Sequence, residues 1–268
     1  MTLKSTVSFL MIIFSIMLIT CTKISDIDNC TDEPCNTYSL DSTALIIYDK
    51  LMEAYNESCT SCLEQILLDW KSVSIPDSDI PDSLKFIYDV YKEFYSPWNL
   101  ARISDSEFGD YIYEGVSYYI IQNILRYDYN LTPGTYGNYY TIKPFQPEIT
   151  NDTINVLYLK NEYMLALNFF LGSNPLIGGS YDYMLPDLSV GEINDRYSFL
   201  HNYLLFFHGH WGNYWHLETH PEVSNISFNY SRDSALVFFR LGYQGGEVTL
   251  SKVNYEWVIV EHRMTWVE

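Results

Sequence analysis

Residues 223–267 read VSNISFNYSRDSALVFFRLGYQGGEVTLSKVNYEWVIVEHRMTWV, and this stretch decides the fold class. Four segments of strand length, 223–229, 235–241, 247–253 and 257–267, are either apolar throughout or alternate apolar with polar. A period of two belongs to strands, because successive side chains leave opposite faces of a sheet. The connections are short: Tyr230-Ser231-Arg232-Asp233, Gln244-Gly245-Gly246 and Asn254-Tyr255-Glu256. Asn and Gly accept the positive φ of tight hairpin turns at little steric cost. The stretch predicts a four-stranded antiparallel meander.

Upstream the period changes from two to that of a helix. Leu45, Ile46, Tyr48, Leu51, Met52 and Tyr55 recur at helical spacing, with Ser39 or Asp41 as N-cap. A second helix follows through Leu63, Ile66, Leu67 and Trp70, and a third runs from Leu84 to Tyr95, ahead of Pro97. Residues 111–129, rich in β-branched and aromatic side chains, predict two strands, and 132–147 a loop. Residues 154–172 read as a strand leading into a helix that stops at Gly172. A long loop over 173–191 and a helix over 192–203 complete the chain. The expected fold is α+β and one compact domain: a helical and mixed region over 41–191, then an antiparallel-sheet region over 192–268.

The N-terminal end carries its own signals. Lys4 precedes an apolar run from Val7 to Ile19, shorter than the roughly 20 residues that span a hydrocarbon core but suited to a secretory leader. Leu18-Ile19-Thr20-Cys21 resembles the lipobox of bacterial lipoproteins, which implies acylation of Cys21 and attachment to a membrane through lipid. Secretion with Cys21 cut away is the alternative. Residues 22–40, polar and acidic, read as a tether. Removing 1–21 takes away Lys4 and no acid, which moves the formal charge from −19 to −20. Such a surface repels phosphate backbones, so nucleic acid is not an expected partner. Four further cysteines, Cys30, Cys35, Cys59 and Cys62, suggest two disulfides in an exported chain. Zinc ligation and a redox pair at Cys59-Thr60-Ser61-Cys62 are the other readings, the latter without the preceding strand of thioredoxin-like folds.

The densest chemistry lies in FFHGHWGNYWHLETHP, residues 206–221, which holds four of the six histidines. If 206–211 is extended, His208 and His210 share a face; if 214–220 is helical, His216 and His220 do. Those four would form a metal site, with Glu218 orienting a ligand. No single ligand motif is matched, however. In the competing reading, Trp211, Tyr214 and Trp215 pack inward with the imidazoles at their rim, and Gly209 and Gly212 allow close backbone approach. His262 falls on the same face as Val258, Val260 and Met264 and joins the pocket candidates His208, His210, Trp211, Tyr214, Trp215 and His216. Glu261 and Arg263 read as a solvated face. The chain has no nucleophile elbow, phosphate loop or dinucleotide fingerprint, so no catalytic residue is assigned and no cofactor is expected. The 25 tyrosines suit a binding surface and a β-rich core equally.

Helices followed by a sheet ending in WVIVEHRMTWVE are similar to the nuclear-transport-factor-two-like fold, which implies a curved, cone-like sheet over 192–268. The pieces FHGHWGNYWHLETHPEVS, VFFRLGYQGGEVTL and TWVE resemble a group of exported bacterial lipoproteins without assigned activity. The superfamily holds isomerases, dehydratases and binding modules, so the resemblance carries no residue roles. The resulting expectation is a non-catalytic envelope protein whose aromatic cavity takes a small molecule, glycan or peptide. A histidine-dependent hydrolase or isomerase and a structural or protein-binding envelope component are the alternatives.

Overall fold

The computed structural model describes residues 41–108, 113, 115–131, 138–150, 154–173, 188–209 and 214–267. Asp41 opens the first helix: its carboxylate accepts the backbone N–H groups of Thr43 and Ala44, donors that a helix start leaves unpaired. Helix α1 (Ser42–Asn56) buries Ala44, Ile47, Leu51 and Ala54, so the stripe lies one residue round from the expected one and Leu45 and Ile46 face outward. Helix α2 (Thr60–Ser72) buries Leu63, Ile66, Leu67 and Trp70, as the spacing predicts. Helix α3 (Asp82–Phe94) turns Ile87, Tyr88, Val90, Tyr91 and Phe94 inward. The short α4 (Ala101–Phe108), broken at Ser104, was not foreseen in a polar segment.

Residues 111–129 supply strands β1 (Tyr118–Ile121) and β2 (Leu125–Asp128). A third strand, β3 (Tyr140–Ile142), replaces part of the predicted 132–147 loop because its backbone completes an antiparallel ladder with β2. Strand β4 (Asn155–Tyr158) leads into α5 (Asn161–Phe170), and Ser189 caps α6 (Val190–His201) by accepting the Glu192 N–H. Two-residue strands β5 (Phe207–His208) and β6 (Trp215–His216) precede the meander β7 (Glu222–Phe228), β8 (Ser234–Leu241), β9 (Gln244–Val253) and β10 (Glu256–Val267). The main sheet runs β10-β9-β8-β7-β2-β3. The meander is antiparallel throughout, while β2 joins β7 in parallel.

Two details of the meander depart from the sequence reading. The β8–β9 turn is Gly242-Tyr243, and Gly245 and Gly246 lie inside β9 opposite Arg240 and Phe239 of β8. They are glycine for another reason: a Cβ on Gly245 would sit 2.2 Å from the Trp266 indole, which covers it from β10. The second departure is a register shift between Ile259 and Glu261, which takes Val260 out of the ladder. It reverses the alternation beyond it, so His262 pairs with Val248 rather than continuing the Val258 face. His262 is exposed on the edge strand and lies outside the lining of the cleft beside Trp215.

Two apolar cores result. One lies between α3 and the main sheet and includes Tyr91, Phe94, Phe145, Phe228 and Val237. The other gathers α1, α2, α5 and α6 around Leu67, Trp70, Leu167 and Phe170. Between them stands the parallel pair β1–β4. Tyr118 and Ile120 of β1 belong to the helical core, Tyr119 and Ile121 to the sheet core. A strand buried on both faces has no polar side to show, which is why YYII reads as an unbroken apolar run. Cys59 and Cys62, at the start of α2, are joined by a disulfide. Cys21, Cys30, Cys35 and the whole leader and tether lie outside the described residues.

Candidate functional site

In the histidine-rich segment the described residues form two short antiparallel strands, β5 and β6, and no helix. Phe207 pairs with His216 and His208 with Trp215, and the Gly209 N–H donates to the Tyr214 carbonyl at 2.7 Å. Gly209 lets the Tyr214 ring lie close, since a Cβ would stand 2.7 Å from it and the ring would have to shift. Directly paired residues share a face, so His208 and Trp215 lie on one side and Phe207 and His216 on the other.

The first side lines a cleft of about 500 Å³ against α6, with Leu171, Ile193, Asn194, Tyr197 and Tyr243 among its walls. Trp215 is fixed from three directions. Its ring stacks on Tyr197 (5.3 Å between centroids, 20° between planes), its indole N–H donates to the Leu171 carbonyl at 3.1 Å, and the His208 ring stands nearly perpendicular to it at 4.9 Å. The Tyr197 hydroxyl donates to the Phe206 carbonyl. Partial desolvation holds the His208 pKa below its ordinary value, so it is neutral at pH 7. Its volume lies within the range of clefts that hold small molecules, and its walls are largely aromatic and apolar.

The second side faces a buried polar cluster. Phe207 stacks on His220 at 4.4 Å and 12°, and the His216 and His220 rings lie 5.8 Å apart. Glu222 at the start of β7 is directly opposite Arg240 on β8. Arg240 donates to His216 Nε2 at 2.5 Å, and His216 Nδ1 lies 3.6 Å from the Glu222 carboxylate. His220 is fully buried; its Nδ1 accepts the Gly242 N–H at 2.6 Å, and its Nε2 has no partner. The segment is pinned to β1 by Thr219, whose N–H donates to the Ile120 carbonyl while its hydroxyl accepts the Ile120 N–H. Just beyond, the Gln122 side chain makes a two-way bond with the Val223 backbone.

Hydrogen-bond direction assigns the protons. A backbone N–H can only donate, so His220 Nδ1 accepts and the neutral ring carries its proton on Nε2. A guanidinium can only donate, so His216 Nε2 accepts and its Nδ1 presents the proton to Glu222. Burial pushes the His220 pKa down to about 3, which keeps that ring neutral. Burial opposes the charge of Glu222, but its contacts with His216 first, then with His220 and Arg240, outweigh it and hold its pKa below the ordinary value. Burial, and next the Glu222 carboxylate, push Glu218 up to about 8 against backbone N–H groups that favour its charge. Two glutamates four residues apart thus hold opposite protonation states at pH 7, the arrangement that general acid–base chemistry exploits.

His216, His220 and Glu222 each bring one ligand atom within 4.8 Å of the others, the composition of a three-ligand metal site. The proton assignment runs against that use. A ligating imidazole normally donates from its second nitrogen, whereas here both second nitrogens accept. A cation would bind only if Arg240 and Gly242 gave up those bonds.

The expected residues thus divide three ways. His208 and Trp215 line the cleft; His216 and His220 meet in the cluster, although 214–220 is a short strand and turn rather than a helix. His208 stands on the opposite face from His216, so the four-histidine metal site does not assemble among the described residues. Tyr214 packs edge-on against His216 at 4.8 Å. His210 and Trp211 lie outside the described residues, and His262 borders a separate groove of about 330 Å³ with Glu247 and Thr249. Glu222 and Arg240 were missed. The visible signal was a cation closing the apolar run VFFR in a strand otherwise suited to burial. No protein-family model, curated protein or solved structure matches this chain.

Proposed function

We propose that this chain is an exported, lipid-anchored binding protein that holds a small ring-bearing molecule, a glycan or an aromatic compound, in the cleft beside Trp215. The supporting observation is that Trp215 is held rigid by Tyr197, Leu171 and His208 at the wall of a cleft of about 500 Å³. A pre-oriented ring loses little entropy when a second ring or sugar face stacks on it. His208 and Asn194 supply the polar groups that would fix orientation. The test is a ligand-observed NMR screen of saccharides and aromatic fragments against the full chain and an Asn194→Arg variant that fills the cleft. Hits that disappear with Asn194→Arg support the proposal; hits bound equally by both proteins, or none at all, sink it. The anchor is tested separately by growth with a clickable fatty acid, where Cys21→Ser should remove the label.

A second reading, a hydrolase or isomerase, is favoured by the Glu218–Glu222 pair. Its mark would be turnover lost in Glu222→Gln with ligand binding in the cleft retained. Equal turnover in that variant removes the reading.

A further inference from the structure

Cys59 is the N-cap residue of α2, and Cys62 lies in its first turn. The Cys59 sulfur accepts the Cys62 backbone N–H at 3.2 Å, and the Ser61 hydroxyl lies 3.5 Å away. Cys62 is exposed and Cys59 half-buried. We propose that Cys59 and Cys62 are a redox-active pair that exchanges its disulfide with a cysteine pair of another polypeptide.

Three features separate the pair from a structural cross-link. It ties nothing distant, because the bond spans only Thr60 and Ser61. The α1–α2 connection is held without it: the Glu57 N–H donates to Glu53, the Cys59 N–H to Ala54 at 2.8 Å and the Leu63 N–H to Cys59. The second feature is electrostatic. A thiolate at Cys59 would meet the Cys62 N–H at the positive end of a thirteen-residue helix with no acidic residue in its first turn. That setting lowers a thiol pKa and makes the sulfur a good leaving group. The third is access, since Cys62 is the exposed residue of the pair and Cys59 the half-buried one.

The exchange follows from that asymmetry. A substrate thiolate attacks Cys62 Sγ; the new S–S bond forms as the Cys59–Cys62 bond breaks, and the electron pair leaves on Cys59, stabilised by the Cys62 N–H. The substrate's second thiolate then attacks its own sulfur in the mixed disulfide and expels Cys62 as a thiolate. The two substrate thiol protons pass through water to Cys59 and Cys62. The substrate dithiol is oxidised by two electrons, and this pair is reduced by two. Run backwards, the reduced pair opens a substrate disulfide.

The test equilibrates the full chain in glutathione buffers of graded ratio, alkylates free thiols and maps Cys59 and Cys62 by mass spectrometry. The pair is expected to titrate in buffers that leave structural disulfides oxidised. It should also react with dithiothreitol at least about tenfold faster than an oxidised peptide spanning residues 57–64, which lacks the helix. The Cys59→Ser/Cys62→Ser double variant should keep the wild-type thermal midpoint and fail to oxidise a reduced, unfolded test protein that the wild type oxidises one-for-one. A bond that stays oxidised throughout, a rate no faster than the peptide's, or a lowered midpoint in the double variant overturns the proposal.

Discussion

Glu218→Gln should change how stability depends on pH, and in one direction only. The folded chain raises the Glu218 pKa from 4.5 to about 8, so between those values the native state keeps a proton that the unfolded chain releases. The stabilisation is complete below 4.5 and is lost as pH rises through about 8. Each pH unit of that interval is worth about 1.4 kcal/mol, or about 5 kcal/mol across the whole of it as an upper bound. His220 has the opposite sign: with a folded pKa of about 3 against 6.5, it favours the unfolded chain as pH falls below 6.5. Where the two windows overlap, from 4.5 to 6.5, their slopes cancel; above 6.5 only the Glu218 loss remains. Glutamine has the shape of the protonated acid and cannot ionise. The assay is urea unfolding of both proteins at pH 5, 6, 7, 8 and 9, with the difference in extrapolated stability taken at each pH. The variant should gain on the wild type as pH rises, by less than that bound because Glu218 retains some solvent contact. A difference that stays the same at pH 5 and pH 9 would refute the assigned protonation of Glu218.

Two packing predictions follow from the same structure. Leu157→Ala, at a fully buried position of β4 on the helical core, should cost about 2–5 kcal/mol in chemical denaturation, and a cost under 1 kcal/mol would contradict the packing described. Gly245→Ala should cost about 1–3 kcal/mol because its Cβ would collide with the Trp266 indole, and the double variant Gly245→Ala/Trp266→Ala should recover part of that loss. Equal effects of Gly245→Ala in the two backgrounds would mean that Trp266 is not what requires glycine there.

What the sequence disclosed depended on whether a residue's environment lies along the chain or across it. The meander was legible because alternation in 223–267 reports each strand's own faces. Helices α1 to α3 were legible from their spacing, though α1 turned a slightly different stripe inward. The glycines at 245 and 246 misled as turn residues because their real neighbours, Trp266 and the Arg263 carbonyl, come from β10. His262 was misplaced by an irregularity at Val260 that a strict period of two cannot anticipate. His216 and His220 do come together, but through a short strand and a turn rather than a helical face. Their partners Glu222 and Arg240 meet through strand register, which no window of sequence contains. The leader, the lipid attachment and the tether were read from 1–40 and stand as proposals.

The parallel pair β1–β4 acts as a party wall. Its alternate side chains are bricks in two different rooms, so neither core can be dismantled without exposing the other's masonry. Thr219 is mortared to the same wall at Ile120, between Glu218 and His220. Loosening of α1 or α2 would therefore be felt at the buried histidines, which none of those helices needs to touch. Amide hydrogens of β1 and of Thr219 should accordingly exchange as one group, at the rate of the slowest opening in the molecule.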